Sequence, residues 1–114
     1  MASNPSYNGS DGDRIDLVKA RQWAQNHRNA DPNGIRSHYF GRDLLDQILI
    51  QPGCTGIRVY YALDDKNQKQ LLIAGVDSQG KTQLPAHPVI TPGDFSIMDF
   101  SFPCPPNCPP GNDL

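Results

Sequence analysis

Hydrophobic and polar positions change period partway along this chain, from helical spacing to alternation. After Asp13, Leu17, Ala20, Trp23, Ala24 and His27 share one face of a helix, with Ile15 and Val18 flanking it and Asp16, Lys19, Gln22 and Gln25 elsewhere. The spacing predicts an amphipathic helix of about four turns, opened by the carboxylate of Asp11 or Asp13 and anchored by Trp23. Asp31-Pro32-Asn33-Gly34 closes it, because proline disfavours helix in the residue before it and Asn-Gly favours a turn. Ile35 to Phe40 fits either an extended lead-in or the first turn of a second helix. From Arg42 onward Leu44, Leu45, Ile48 and Leu49 form one apolar stripe, with Asp43, Asp46 and Gln47 facing away, until Gln51-Pro52-Gly53 stops it.

Alternation then takes over. In Thr55 to Leu63, Ile57, Val59 and Tyr61 point one way and Arg58, Tyr60 and Ala62 the other. Asp64-Asp65-Lys66-Asn67 is a turn. Lys69 to Val76 is apolar on both faces, as in a central strand covered on both sides. Asp77-Ser78-Gln79-Gly80 is a second turn, with Gly80 free to take positive φ. A short strand over Lys81 to Leu84 follows, then a loop bracketed by Pro85-Ala86-His87-Pro88 and Thr91-Pro92-Gly93-Asp94. Phe95 to Phe102 alternates as a last strand. Beyond it, proline is expected to keep the chain out of any ladder and in an extended polyproline II course.

The expected fold class is α+β: two N-terminal helices packed on a small, mainly antiparallel sheet of three to four strands, with a proline-rich C-terminal tail. Residues 1–12, rich in Ser, Asn, Gly and Asp, are expected to be disordered, residues 13–102 to form a single α+β domain, and residues 103–114 to be a Cys/Pro-rich tail. There is no internal repeat. The sheet face expected to be exposed carries Arg58 and Tyr60.

Length and charge narrow the partners. A chain of 114 residues is one domain by size and buries roughly two-thirds of the surface that its unfolded form exposes. Net charge is -2 with no basic stripe, which argues against nucleic acid. The first residues have neither a basic nor an apolar signal region, and no apolar run approaches the ~18 residues of a membrane span. The expectation is a cytoplasmic protein without membrane contact. In a reducing cytoplasm, three cysteines favour thiols or a metal over disulfides.

Four stretches carry a resemblance: Phe40-Gly41-Arg42-Asp43-Leu44-Leu45, Gln51-Pro52-Gly53-Cys54-Thr55-Gly56-Ile57-Arg58-Val59-Tyr60-Tyr61-Ala62, Gly75-Val76-Asp77 and Cys104-Pro105-Pro106-Asn107-Cys108. Together they resemble a set of short uncharacterised bacterial proteins. The resemblance implies a bacterial, domain-sized protein and transfers no activity and no catalytic residue.

The cysteines are the most pointed chemistry. Cys104 and Cys108 have three residues between them, within the spacing of a zinc-ligating pair, and Cys54 would be a third ligand with His38 or His87 a fourth. Zinc is the metal such a set would take. A bridge among the cysteines and inert thiols are the alternatives. Cysteine catalysis fits poorly, because Cys54 follows the C-terminal end of the second helix, where the dipole raises a thiol pKa. Arg36, His38, Tyr39, Arg42 and Arg58 could assemble an anion pocket, against the plainer reading of solvated arginines beside Asp43, Asp46 and Asp64. No phosphate loop, dinucleotide fingerprint or zinc-protease helix is present.

The leading functional expectation is therefore a non-enzymatic protein-interaction or assembly module of a bacterial cytoplasmic system, working through a protein partner or self-association. Arg58, Tyr60, Pro105 and Pro106 are its expected interface residues. The alternative is a small metal-binding or thiol-redox protein using Cys54, Cys104 and Cys108. A weaker third reading is a small enzyme using His38 with Arg42 or Arg58.

Overall fold

The computed structural model describes residues 4–90, 96–99, 101–111 and 113–114. In chain order its elements are α1 (Leu17–Ala30), β1 (Ser37–Tyr39), α2 (Arg42–Leu49), β2 (Cys54–Leu63), β3 (Lys69–Asp77), β4 (Ile97–Met98) and β5 (Phe102–Cys104). The class is α+β. The strands form two small antiparallel sheets in place of the single sheet expected, one ordered β1-β5 and the other β2-β3-β4. The chain divides into two compact units: Met1–Asp11 with Phe40–Phe100, and Gly12–Tyr39 with Ser101–Leu114.

The first unit is built on the β2–β3 hairpin. The turns at either end of β3 are made the same way. Asp64 Oδ1 accepts the N–H groups of Lys66 and Gln68 at 2.8 and 2.9 Å. Asp77 Oδ1 likewise accepts those of Gln79 and Lys81 at 2.9 and 3.0 Å. Each turn has its fourth residue in the left-handed region, Asn67 at φ 60° and Gly80 at φ 81°. The second turn leads into an isolated bridge, Val76 to Thr82, in place of the short strand expected over Lys81 to Leu84.

β3 lies between β2 and β4, and its Ile73, Ala74, Gly75 and Val76 are buried, as expected of a central strand. Directly opposed residues share a face, so Ile57, Val59 and Tyr61 stand with Gly75, Ile73 and Leu71. α2 packs on this face through Ile48, which is 0% exposed. The close approach needs Gly75: a Cβ there would lie 2.6 Å from Gln83 Oε1, 3.0 Å from Cys54 Sγ and 3.4 Å from Ile48 Cγ2. The opposite face carries Arg58, Tyr60, Leu72, Ala74 and Val76.

Residues 4–11 belong to this unit as well. Asp11 gathers them by accepting the N–H groups of Ser6 and Tyr7, both at 2.8 Å. The Tyr7 ring covers Gly80, where a Cβ would come within 2.7 Å of it. These backbone hydrogen bonds from Ser6 and Tyr7 hold the Asp11 carboxyl below the usual carboxylate range. Asp64 is shifted the same way, first by the Gln68 N–H and then by the Gln70 amide.

The second unit holds α1 and the β1–β5 pair. α1 begins at Leu17, later than expected, because Asp16 caps it by accepting the Lys19 N–H at 2.8 Å. None of its residues is fully buried, and Trp23, expected as an anchor, is 61% exposed. Its apolar stripe is too narrow for a core face, since Ala20 and Ala24 supply much of it. The ambiguous segment before α2 is extended, and its β1 pairs with β5 in the register Ser37 to Cys104, His38 to Pro103 and Tyr39 to Phe102.

That pairing corrects the expectation that the tail leaves the ladder after Phe102. Pro103 fits because its carbonyl turns the other way, to accept the Asn107 N–H at 2.8 Å, while Cys104 O accepts the Arg36 N–H at 2.7 Å. Of the last strand expected over Phe95 to Phe102, Phe95 and Phe100 lie outside the described residues, as do Thr91-Pro92-Gly93-Asp94. The rest divides between β4 and β5, one in each unit.

Candidate functional site

Two features stand out, one in each unit. In the second unit, Cys104 and Cys108 are joined by a disulfide. β5 sets Cys104 in place, and a turn through Pro105, Pro106 and Asn107 brings Cys108 back to it, with the Cys104–Pro105 and Pro105–Pro106 bonds both cis. The two sulfurs sit in different surroundings. Cys104 is 1% exposed, whereas Cys108 is exposed at the edge of an open cleft of about 540 Å3. Arg36 Nη2 donates to Cys108 Sγ at 3.6 Å.

The cleft is also lined by His38, Tyr39, Phe102 and Asp113. Tyr39 and Phe102 face each other across the β1–β5 ladder with ring centroids 6.4 Å apart. His38 Nδ1 lies 2.7 Å from Ser101 Oγ, and burial lowers the His38 pKa by disfavouring the imidazolium.

In the first unit, β2 is an edge strand among the described residues, where its sheet partner is β3. The row Ile57, Val59, Tyr61 and Leu63 is exposed along it, with Val59 at 50% and Tyr61 at 94%. Arg58, expected on the open face, is half-buried, because the strap after Gly80 folds over it. Its Nη1 donates to Gly80 O at 3.1 Å and to Thr82 Oγ1 at 2.8 Å. Tyr60 keeps its ring partly exposed and holds its hydroxyl 2.7 Å from the same Thr82 Oγ1. α2 covers the apolar face at its Gly75 end, and beyond it Val59, Tyr61 and Leu63 stay open along β2, whereas Arg58 on the other face is covered.

The remaining expected site residues distribute as follows. Cys54 is a free thiol at the start of β2, half-buried, donating to Gly56 O at 3.2 Å. It belongs to the first unit, and Cys104 and Cys108 to the second. Among the described residues no three His, Cys, Asp or Glu side chains gather as a metal-binding group. With the bridge formed, Cys104 and Cys108 have no thiolate to offer a metal, so a zinc site there requires its reduction first. Arg36, His38 and Tyr39 lie in the second unit, Arg42 and Arg58 in the first. Pro105 and Pro106 are both exposed.

Sequence reasoning missed Thr82 and Ser101, the hydroxyls that hold Arg58 with Tyr60 and His38. Neither stands in a motif, and only strand register reveals them. No helix among the described residues is long and apolar enough to cross a membrane. No family model, curated protein or solved structure matches this chain.

Proposed function

We propose that this chain is a non-enzymatic assembly module of a bacterial cytoplasmic system, and that it self-associates by pairing the outer edge of β2 with the same edge of a second copy. The carrying observation is the ten-residue edge strand with an apolar row left open along one face. An edge of this length offers unpaired N–H and C=O groups to another strand, and an apolar row beside it gives that pairing a side-chain seam.

The sequence of β2 supports a second copy as the occupant. An antiparallel pairing centred on Tyr60 sets Ile57 opposite Leu63 and Val59 opposite Tyr61 on one face. On the other it sets Arg58 opposite Ala62 and Tyr60 opposite its own copy. Arg58 is the one charged residue between Cys54 and Leu63, and this register keeps it from facing its own copy. The seam is short compared with the ~1,600 Å2 of a standard interface, so the association is concentration-dependent.

Sedimentation velocity across a wide concentration range tests this. The wild-type mass should rise toward a dimer. Val59→Lys enters the seam twice by symmetry and should weaken it on the order of a hundredfold, from the lost apolar burial of two half-exposed valines. A monomer at every concentration, or a dimer indifferent to Val59→Lys, would overturn the reading.

A further inference from the structure

We infer that the Cys104–Cys108 pair is a redox-active dithiol whose exposed sulfur, Cys108, exchanges with a thiol or disulfide of a small molecule or of an exposed protein cysteine. Three independent observations meet here. The bridge is asymmetric: Cys104 is 1% exposed, whereas Cys108 is exposed and lines a cleft. A guanidinium reaches the open sulfur, Arg36 Nη2 to Cys108 Sγ at 3.6 Å. The cleft beside it is walled by Tyr39 and Phe102, apolar surface on which the body of an incoming thiol compound can rest.

The exchange follows from that asymmetry. An incoming thiolate can reach Cys108 Sγ and not Cys104 Sγ. Its attack forms a bond between its sulfur and Cys108 Sγ. The bond between the two protein sulfurs breaks, and the electron pair goes to Cys104 Sγ, which takes up a proton. A second thiol, as thiolate, attacks the first thiol's sulfur in the mixed disulfide. Cys108 then leaves as a thiolate beside Arg36. Two external thiols have become one disulfide, and the protein disulfide has become two thiols. The reverse reaction, begun by the Cys108 thiolate on an external disulfide, restores the bridge.

Arg36 favours both directions, since it stabilises the thiolate that leaves in one and attacks in the other. The other titratable side chains at the cleft are His38, Tyr39 and Asp113, and the Asp113 carboxylate opposes Arg36. Because Arg36 is solvent-exposed, its effect on the thiolate population is modest, about twofold to fivefold at neutral pH.

The test uses the full chain in a Cys54→Ser background, equilibrated with reduced and oxidised glutathione in varied ratio, then acid-quenched, alkylated and weighed intact. The expected result is reversible opening and closing of the bridge across the series. Mixed disulfides trapped by the quench should map to Cys108 and not to Cys104. In the reduced protein, iodoacetamide should label Cys108 faster than Cys104, and Arg36→Gln should slow that labelling about twofold at pH 7. A bridge that stays closed through the whole series would make it a staple and overturn the proposal. Labelling of Cys108 indifferent to Arg36→Gln would do the same.

Discussion

Replacing Gly75 with alanine adds one methyl group where three side chains already converge. That methyl carbon would stand 2.6 Å from Gln83 Oε1 and 3.0 Å from Cys54 Sγ, both inside ordinary contact distance, and 3.4 Å from Ile48 Cγ2. The Gln83 amide is the group that can yield. Its Nε2 donates to Pro52 O at 2.9 Å, and its Oε1 is buried with no hydrogen-bond partner among the described residues. Moving it sacrifices a bond of about 1 kcal/mol, and the crowding at Cys54 adds about 1–2 kcal/mol. Alanine recovers about 0.5 kcal/mol by stiffening the unfolded chain. The net expectation is a loss of about 2 kcal/mol, or roughly 8 °C in Tm at this chain length. Urea titration followed by circular dichroism measures it. Gln83→Ala in the same chain removes the clashing amide, so the double variant should be more stable than the sum of the two single losses. A Gly75→Ala protein as stable as wild type, or a strictly additive pair, would refute the packing argument.

Ile48→Ala leaves a void under α2 and should cost about 2–4 kcal/mol, read by the same denaturant titration with an unchanged m-value. Asp11 and Asp64 both have carboxyl pKa values lowered in the folded state, so each adds stability that is present above the unfolded value near 3.8 and lost as pH falls through the folded one. Asp11→Asn with Asp64→Asn should therefore flatten the acid limb of the unfolding curve below pH 4. His38 is displaced downward by burial, so the folded state favours the neutral ring. Stability should decline as pH drops below about 6.5, and the NMR titration of its ring should have its midpoint below that of a free histidine. Trp23→Ala should change Tm by less than about 0.5 kcal/mol equivalent, because that ring is largely exposed.

The hairpin was legible because its signals are local and agree. Two Asp-led turns flank a strand apolar on both faces, and each signal depends on residues within a few positions of one another. The α2 stripe was legible for the same reason. The facing of β2 was not, since alternation assigns residues to two faces without saying which is covered. That was decided by Thr82, which folds back onto Arg58 and Tyr60, while Gly75 admits α2 at one end of the other face only. The β1–β5 pair was hidden more deeply. Three residues per strand fall below the length at which alternation is readable, and Pro103 argues against a strand until its carbonyl is seen to serve Asn107. At the candidate site, the spacing of Cys104 and Cys108 was visible, whereas the partnership with Arg36 exists only once that ladder closes.

The β1–β5 pairing also has a consequence during synthesis. Its two strands are separated by the whole of α2 and the central hairpin, so β1 leaves the ribosome long before its partner exists. At ordinary elongation rates the wait is about 3–13 s, far longer than a hairpin such as β2–β3 needs to form. The first unit's sheet can thus begin to assemble while Ser37 to Tyr39 are still an unpaired strand. Cys104, whose strand completes that pairing, is added only after β2, β3 and β4. The pair of sulfurs at the cleft is therefore assembled only once β5 has emerged, on a ladder whose first half was waiting for it.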